Sequence, residues 1–335
     1  MRVKSFFPYF ILIAAPGLIL AVIGLSVRYG AKPLDWETVQ AAVFHFDPGN
    51  VNHQIVISSR LPRVLGALLV GAALAVSGAL MQGITRNYLA SPSLMGVVDG
   101  SALAITLGML LLPNATALER IGLSLVGSVL GAALVFGLGS LLPNGLSPVR
   151  LAILGTITGT FLSGIAAALA TYYQIAQDIS FWYNARLHQL NPEHLKLAVI
   201  FLAGGFLVAL LVSGQITLLS LGEEVAIGLG QPTAVIKGLA ALAVMILTGI
   251  SVALVGKIAF VGLIIPHITR YLTGVDYKWV IPCSGVLGGI FLAASDLLSR
   301  FLNYPFETPV GVITALIGVP FFLYLARTRG GNQYA

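Results

Sequence analysis

Arg60 and Arg63 stand three residues apart at the head of a long apolar run, "RLPRVLGALLVGAALAVSGALMQG" (60–83). That spacing puts both side chains on one face of a helix. A cation at a helix N-terminus costs about 0.3–1 kcal/mol against the dipole, so the pair needs a reason. The plain one is snorkelling toward lipid headgroups. Pro62 suits a first helical turn, and Ser58 or Ser59 precedes it as a candidate cap. Two carboxylates also stand out. Asp99 falls near the inner end of an apolar segment, and Asp296 precedes Arg300 by four residues, the spacing of an intrahelical ion pair. His45, His53, His188, His194 and His267 lack convincing ligand spacing, although His188 and His194 share one loop. His267 follows Pro266 at a helix end, where a hydrogen-bonded structural histidine is expected. The single cysteine, Cys283, excludes an internal disulfide and a thiolate metal cluster. "LVGKIAF" (254–260) lacks the earlier glycine and the hydroxyl residue of a P-loop, and neither H-E-x-x-H nor G-x-S-x-G occurs. The chain therefore has no nucleotide site of its own, and no metal or cofactor is expected.

The elements that hold these residues are apolar. Of 335 residues, 57% are hydrophobic and 9% charged, against about 25% charged in a soluble domain. Mean hydropathy is +0.95. Ten apolar segments are predicted, near 7–27, 62–84, 93–112, 121–142, 151–173, 197–213, 238–256, 258–272, 279–298 and 309–326. Most reach the roughly 18 residues that cross a bilayer core of about 30 Å; the third and eighth are short, and Pro266 is expected to break the eighth. The fold class is thus an all-α polytopic membrane protein of about ten helices, because a β-barrel would alternate instead of running continuously apolar. The connections 28–61, 174–196 and 214–237 are too short for a soluble core, so residues 1–335 form a single domain. The basic, apolar N-terminus is read as a retained first helix because its core is long for a signal peptide.

The net charge of +6 comes without a basic run, which suits loops near headgroups and argues against nucleic acid. With the N-terminus in the cytoplasm, the cations divide nine against nine. Arg28, Lys32, Arg60, Arg63, Arg120, Arg186, Lys196, Lys257 and Arg300 fall outside. The count does not orient the chain; the basic N-terminus and Arg327/Arg329 favour both ends inside. Among the 38 glycines, "GSVLG" (127–131) and "GTITG" (155–159) are small-xxx-small patterns for close helix packing.

One inner connection differs from the others. In "LSLGEEVAIGLGQP" (219–232), Gly222 and Gly230 bracket a segment too short to span, and Pro232 follows as a stop. Glu223 and Glu224 suit the first turn of a helix, and Val225, Ala226 and Leu229 give it a small apolar face. A short capped helix outside the bilayer is a shape presented to a partner.

Four ordered motifs carry a resemblance: "RLPRVLGALLVGAALAVSGALMQGITRNYLASPSLMGV" (60–97), "LGEEVAIGLG" (221–230), "GKIAFVGLIIPHITRYLTG" (256–274) and "FETPVGVITALIGVPFFLYL" (306–325). Over about 55–326 the chain resembles the FecCD or BtuC-like permeases of type II ABC importers for ferric siderophores, haem and vitamin B12. The resemblance implies ten helices in the type II importer permease fold and a second permease subunit, identical or closely paired. It also implies two cytoplasmic ABC ATPases and an external solute-binding protein, in the bacterial cytoplasmic membrane. It makes residues 221–230 (Leu221, Gly222, Glu223, Glu224, Ala226, Leu229, Gly230) the coupling segment on the ATPase. Arg60, Arg63 and Arg300 become receptors for carboxylates of the binding protein, and Asn87 and Leu89 the cytoplasmic gate. Two stretches depart from the family pattern. Asn87-Tyr88-Leu89-Ala90 replaces Asn-Pro-Leu-Ala, and Trp182–Leu187 replaces Trp-x-x-Gly-Ser-Leu. Ferric siderophore is the leading cargo, with haem or vitamin B12 as alternatives. An ion-driven carrier would need mid-membrane carboxylates, and a membrane enzyme would need a His/Asp/Glu cluster.

Overall fold

All ten apolar segments fold as helices, since a backbone in apolar surroundings must satisfy its own N–H and C=O groups. The computed structural model describes residues 6–30, 32–141, 148–183, 187, 190–304 and 306–330. In chain order the helices are α1 (Phe7–Arg28), α2 (Trp36–Phe44), α3 (Val51–Ile55), α4 (Leu61–Thr85), α5 (Val97–Leu111), α6 (Ala117–Ser140), α7 (Pro148–Tyr172) and α8 (Ala176–Tyr183). They continue as α9 (Pro192–Leu211), α10 (Ser213–Leu221), α11 (Glu223–Gly228), α12 (Thr233–Val255), α13 (Val261–Thr273), α14 (Tyr277–Ser299) and α15 (Val310–Gly330). Seven stretches are long and apolar enough to cross a membrane: α1, the continuous unit Val51–Thr85, α6, most of α7, α9, α12 and α14. The shorter apolar helices α5 and α15, with the 13-residue α13, complete the ten segments.

The axis of the bundle is α4. Its apolar window is 78% buried, against 22% for α1 at the periphery. Helices in lipid gain little from apolar contact alone, so close packing through small residues holds them. A Cβ on Gly71 would lie 2.7 Å from Leu292 Cβ and closer still to the Gly288 carbonyl, so α4 and α14 approach backbone to backbone. The "GSVLG" glycines do the same for α5 and α6, with Gly127 and Gly131 against Gly100 and Gly96. Ser124 Oγ then donates to the Gly249 carbonyl at 2.6 Å and ties α6 to α12.

Three local expectations are corrected. The helix expected to start at Pro62 starts at Val51, capped by Asn50, whose side chain accepts from Asn52 N–H at 2.9 Å. Ser58 and Ser59 cap nothing; they lie in a π-helical turn, Val56–Arg60, that runs into α4. Pro62 has no N–H to offer the Ser58 carbonyl, and a widened turn is where such a helix absorbs the loss. Pro266 does not break α13, which runs through it to Thr273. Its missing donor frees the Gly262 carbonyl, and Gln82 Nε2 of α4 approaches that oxygen at 3.3 Å.

The third correction concerns depth. Gly96 and Gly100 face Gly131 and Gly127, in the middle turns of α6, so α5 begins inside the bundle. Residues 87–96 therefore re-enter it as non-helical chain, with one 3-10 turn at Pro92–Met95. The linker 256–260 is also non-helical, and Lys257 meets Asp99 there at 2.6 Å. The two residues expected on opposite sides of the membrane are thus neighbours. Irregular backbone at such depth persists only where protein or a water-filled cavity satisfies it.

Candidate functional site

At the N-terminal end of α4 the arginines are buried: Arg60 and Arg63 are each 7% exposed and Arg300 is 5%. Arg60 Nη1 donates to the carbonyls of Val27 (2.7 Å) and Arg28 (3.0 Å), and Nη2 to that of Lys32. Arg300 Nη1 donates to the carbonyls of Ser26 (2.7 Å) and Tyr29 (2.8 Å). These are the C-terminal carbonyls of α1 and the loop after it, which no helical N–H can reach. Two cations there also complement the α1 dipole. The N-terminal penalty expected on α4 is thereby offset by a neighbouring helix that ends beside it. A Cβ on Gly30 would lie 2.9 Å from Arg60 Nη2, so glycine lets the loop close over the guanidinium.

Arg63 turns the other way. Its Nε and Nη2 reach Asp296 Oδ1 at 3.0 and 2.9 Å, and its Nη1 reaches Glu307 at 2.8 and 2.9 Å. Arg300 Nη2 holds Asp296 Oδ2 at 2.5 Å, the i,i+4 pair read from the sequence. Two guanidinium groups, of Arg63 and Arg300, meet two carboxylates, and Asp296 is only 1% exposed. Arg60 and Arg63 therefore serve different partners, and all three arginines are bonded within the chain, with the buried Arg300 Nε left without a hydrogen bond.

The segment 221–230 lies at the opposite end of α4, where Arg86 acts on Glu223. Gly222 (φ +148°) separates α10 from α11, and Gly230 (φ +76°) ends the segment, so both glycines carry backbone that other residues rarely adopt. Glu223 and Glu224 occupy the first turn as expected. Lys237 Nζ lies 2.6 Å from Glu223 Oε1, and this hydrogen bond holds the Glu223 carboxyl below its usual range. The expected apolar face needs one correction. Ala226 is fully buried and packs inward, whereas Leu221, Val225, Ile227 and Leu229 are 62%, 48%, 57% and 61% exposed. A residue facing its own core cannot face a partner. Nor is it alone among the described short helices in exposing apolar side chains: α2 exposes Trp36, Val43 and Phe44.

The re-entrant loop carries the gate residues. Leu89 N–H donates to Asn87 Oδ1 at 2.9 Å and Ala90 N–H to the Asn87 carbonyl at 3.0 Å, so Asn87 shapes the turn and Leu89 stays exposed. Tyr88, which stands in place of proline, lies under the Arg270 guanidinium at 4.5 Å, and Arg270 also bonds Gln82. A cation–π contact holds the loop where a fixed proline φ is absent. Behind it is a cavity of about 390 Å³ lined by Leu89, Ser91, Ser93, Asp99, Lys257 and Phe260 among others. In its wall Asp99 accepts from Lys257 Nζ (2.6 Å) and from Ser163 Oγ (2.8 Å). A Cβ on Gly159 would lie 2.5 Å from Asp99 Oδ2, so this glycine of "GTITG" seats a carboxylate. The sequence reading missed this cluster; its signal was a lysine after Gly256 in an otherwise apolar stretch.

Two of the histidines have partners within the chain. His53 is buried and its Nδ1 accepts from Asp47 N–H at 3.1 Å, and the His267 ring packs on Phe321 at 5.7 Å. No group of three or more metal-ligating side chains occurs among the described residues. His188, Asn184, Ala185, Arg186 and the side chains of Trp182 and Tyr183 lie outside them.

The profile of the FecCD transport family matches residues 18–328. The chain belongs to that family. It is 58% identical to the Bacillus subtilis iron-uptake system permease protein FeuB over 96% of this chain and 97% of that one. Identity to the Bacillus subtilis iron(3+)-hydroxamate import system permease protein FhuB is 48%, over 95% and 83%. A solved inward-facing structure of a metal-chelate type ABC transporter superposes with a TM-score of 0.81 at 31% identity, covering 95% of this chain and 99% of that one. The chain is a multi-pass membrane permease with the fold of a type II ABC importer, a transport component and not an enzyme.

Proposed function

We propose that this chain is the permease subunit of an ATP-driven importer that moves a ferric siderophore across the bacterial cytoplasmic membrane. The observation that carries the cargo is its 58% identity, end to end, to a permease named for iron uptake. The whole chain acts as one permease domain, with 214–237 as its coupling connection. A second permease subunit, two cytoplasmic ABC ATPases and an external solute-binding protein complete the assembly, and lipid surrounds it. Leu221, Val225, Ile227 and Leu229 form the ridge that seats on the ATPase, Gly222 and Gly230 set its angle, Glu223 and Glu224 open α11, and Ala226 anchors it. Asn87 and Leu89 close the pathway on the cytoplasmic side, where both termini also lie.

The docking role of Arg60, Arg63 and Arg300 enters this reading in a narrower form. Three cations against two carboxylates leave one net positive charge at the outer end of α4 and α14. An acidic binding protein meets that field and the half-exposed Glu307 edge instead of open guanidinium groups. The deciding experiment reconstitutes the chain with its ATPase and binding protein in proteoliposomes and follows radiolabelled iron. ATP-dependent entry of a ferric chelate supports the reading. Entry of haem or cobalamin instead reassigns the cargo, and accumulation under a proton gradient without ATP moves the chain to the secondary carriers.

A further inference from the structure

The segment 221–230 and the gate loop lie at the same end of α4, and a series of side-chain bonds joins them. α10 leads directly into α11 through Gly222. Thr217 of α10 reaches the start of α14: its Oγ1 accepts from Tyr277 N–H at 2.9 Å and donates to Asp276 Oδ1 at 3.1 Å. The Tyr277 N–H is one of the first-turn donors that a helix cannot satisfy by itself, so a hydroxyl of α10 helps to cap α14. Tyr277 is only 1% exposed. A Cβ on Gly83 of α4 would lie 3.0 Å from Tyr277 Cε1 and closer still to Ile216 Cγ2 of α10, so glycine lets the three helices meet.

From Tyr277 the contacts run on to the loop. Its side chain meets the guanidinium of Arg270 on α13. Arg270 Nη2 donates to Gln82 Oε1 of α4, and the guanidinium lies 4.5 Å from the centre of the Tyr88 ring. Tyr88 stands between the two gate residues, in chain that leaves α4 at Arg86 (φ +51°) and enters α5 at Gly96 (φ +70°). Between those two left-handed residues no continuous helix holds the loop, so side-chain contacts such as that to Arg270 fix where it lies. Packed side chains and hydrogen bonds that form one contiguous network are what carries energetic coupling between separate sites.

Resting on the importer reading, we propose that Thr217, Tyr277 and Arg270 are positioning residues that tie α11 to the gate loop, so that a displacement of α10 and α11 is passed to Tyr88 and Leu89. The test follows thiol labelling of Leu89→Cys in the reconstituted importer, with and without ATP; the native Cys283 is buried. In the otherwise unaltered chain ATP should change the labelling rate. Tyr277→Phe keeps the ring against Gly83 and loses only the hydroxyl. It should shrink the ATP-dependent change about fivefold and lower uptake per ATP hydrolysed by a similar factor, with the ATPase rate and the Tm near wild type. Thr217→Val should shrink the change likewise, and Thr217→Ser, which keeps the hydroxyl, should retain it. A full ATP response in both Tyr277→Phe and Thr217→Val would overturn the proposal and leave static packing. A loss in Thr217→Ser as large as in Thr217→Val would overturn it too, because the hydroxyl would then not be the link. No ATP response in the otherwise unaltered chain would overturn the gate assignment itself, and this link with it.

Discussion

At one end of α4, Arg63 and Arg300 share the buried carboxylate of Asp296; at the other, Glu223 and Lys237 meet with 38% of each side chain exposed. Both are ion pairs of good length, yet their physics differs. Around Asp296 buried hydrogen bonds from Arg63 and Arg300 stand in for water at the carboxylate, and Arg60 and Arg300 also close the end of α1. Removing one member strands the others in a low dielectric. Around Glu223 water and salt already screen the pair, so it adds little to stability. The end with the stronger charges has its bonds turned inward, and the end with the weaker pair presents bare apolar side chains. Charge at the arginine end builds the fold, while shape at the α11 end is free for a partner.

Asp296→Ala should break this contrast most sharply. It leaves Arg63 and Arg300 without their shared anion, at a cost of about 3–5 kcal/mol, seen as a large fall in Tm in detergent. A change near zero would mean that the cluster is open to water. Within α11, Ala226→Asp buries an unpaired charge at about 3 kcal/mol and should lower Tm. Leu229→Asp, on the exposed side, should stay within about 0.5 kcal/mol in stability and still abolish uptake. If the two exchange behaviours, the inward and outward faces are wrongly drawn.

Glu223→Gln should cost only about 0–1 kcal/mol and less at high salt. Because Lys237 holds the folded Glu223 pKa below its unfolded value, its contribution is complete above about pH 5. It fades as pH falls through the lowered pKa. In the variant the Tm difference from wild type should vanish at low pH. Tyr88→Ala should cost about 0.5–1 kcal/mol from the lost Arg270 contact. Leu89 should then protect less from solvent labelling while the arginine end is unchanged.

All ten helical segments were legible because apolar runs and helix length are local properties. The first-turn acids and bracketing glycines of α11 were legible for the same reason, as was the four-residue spacing of Asp296 and Arg300. Pro266 misled because the group that replaces its hydrogen bond, Gln82, is remote in sequence. Ala226 was assigned outward because a six-residue helix has too few turns for a pattern to choose its inner face.

Sequence alone determined what kind of molecule this is: polytopic, helical and carrying the four motifs of its family. Tertiary structure decided what the charges do. Arg60 answers carbonyls more than 27 residues away, Arg63 answers carboxylates 233 and 244 residues away, and Lys257 finds Asp99 across 158. The reason is range. Helix formation is settled by neighbours within a turn or two, but a charge in an apolar bundle settles wherever packing brings an opposite charge or an orphaned carbonyl within 3 Å, and no local pattern encodes that meeting.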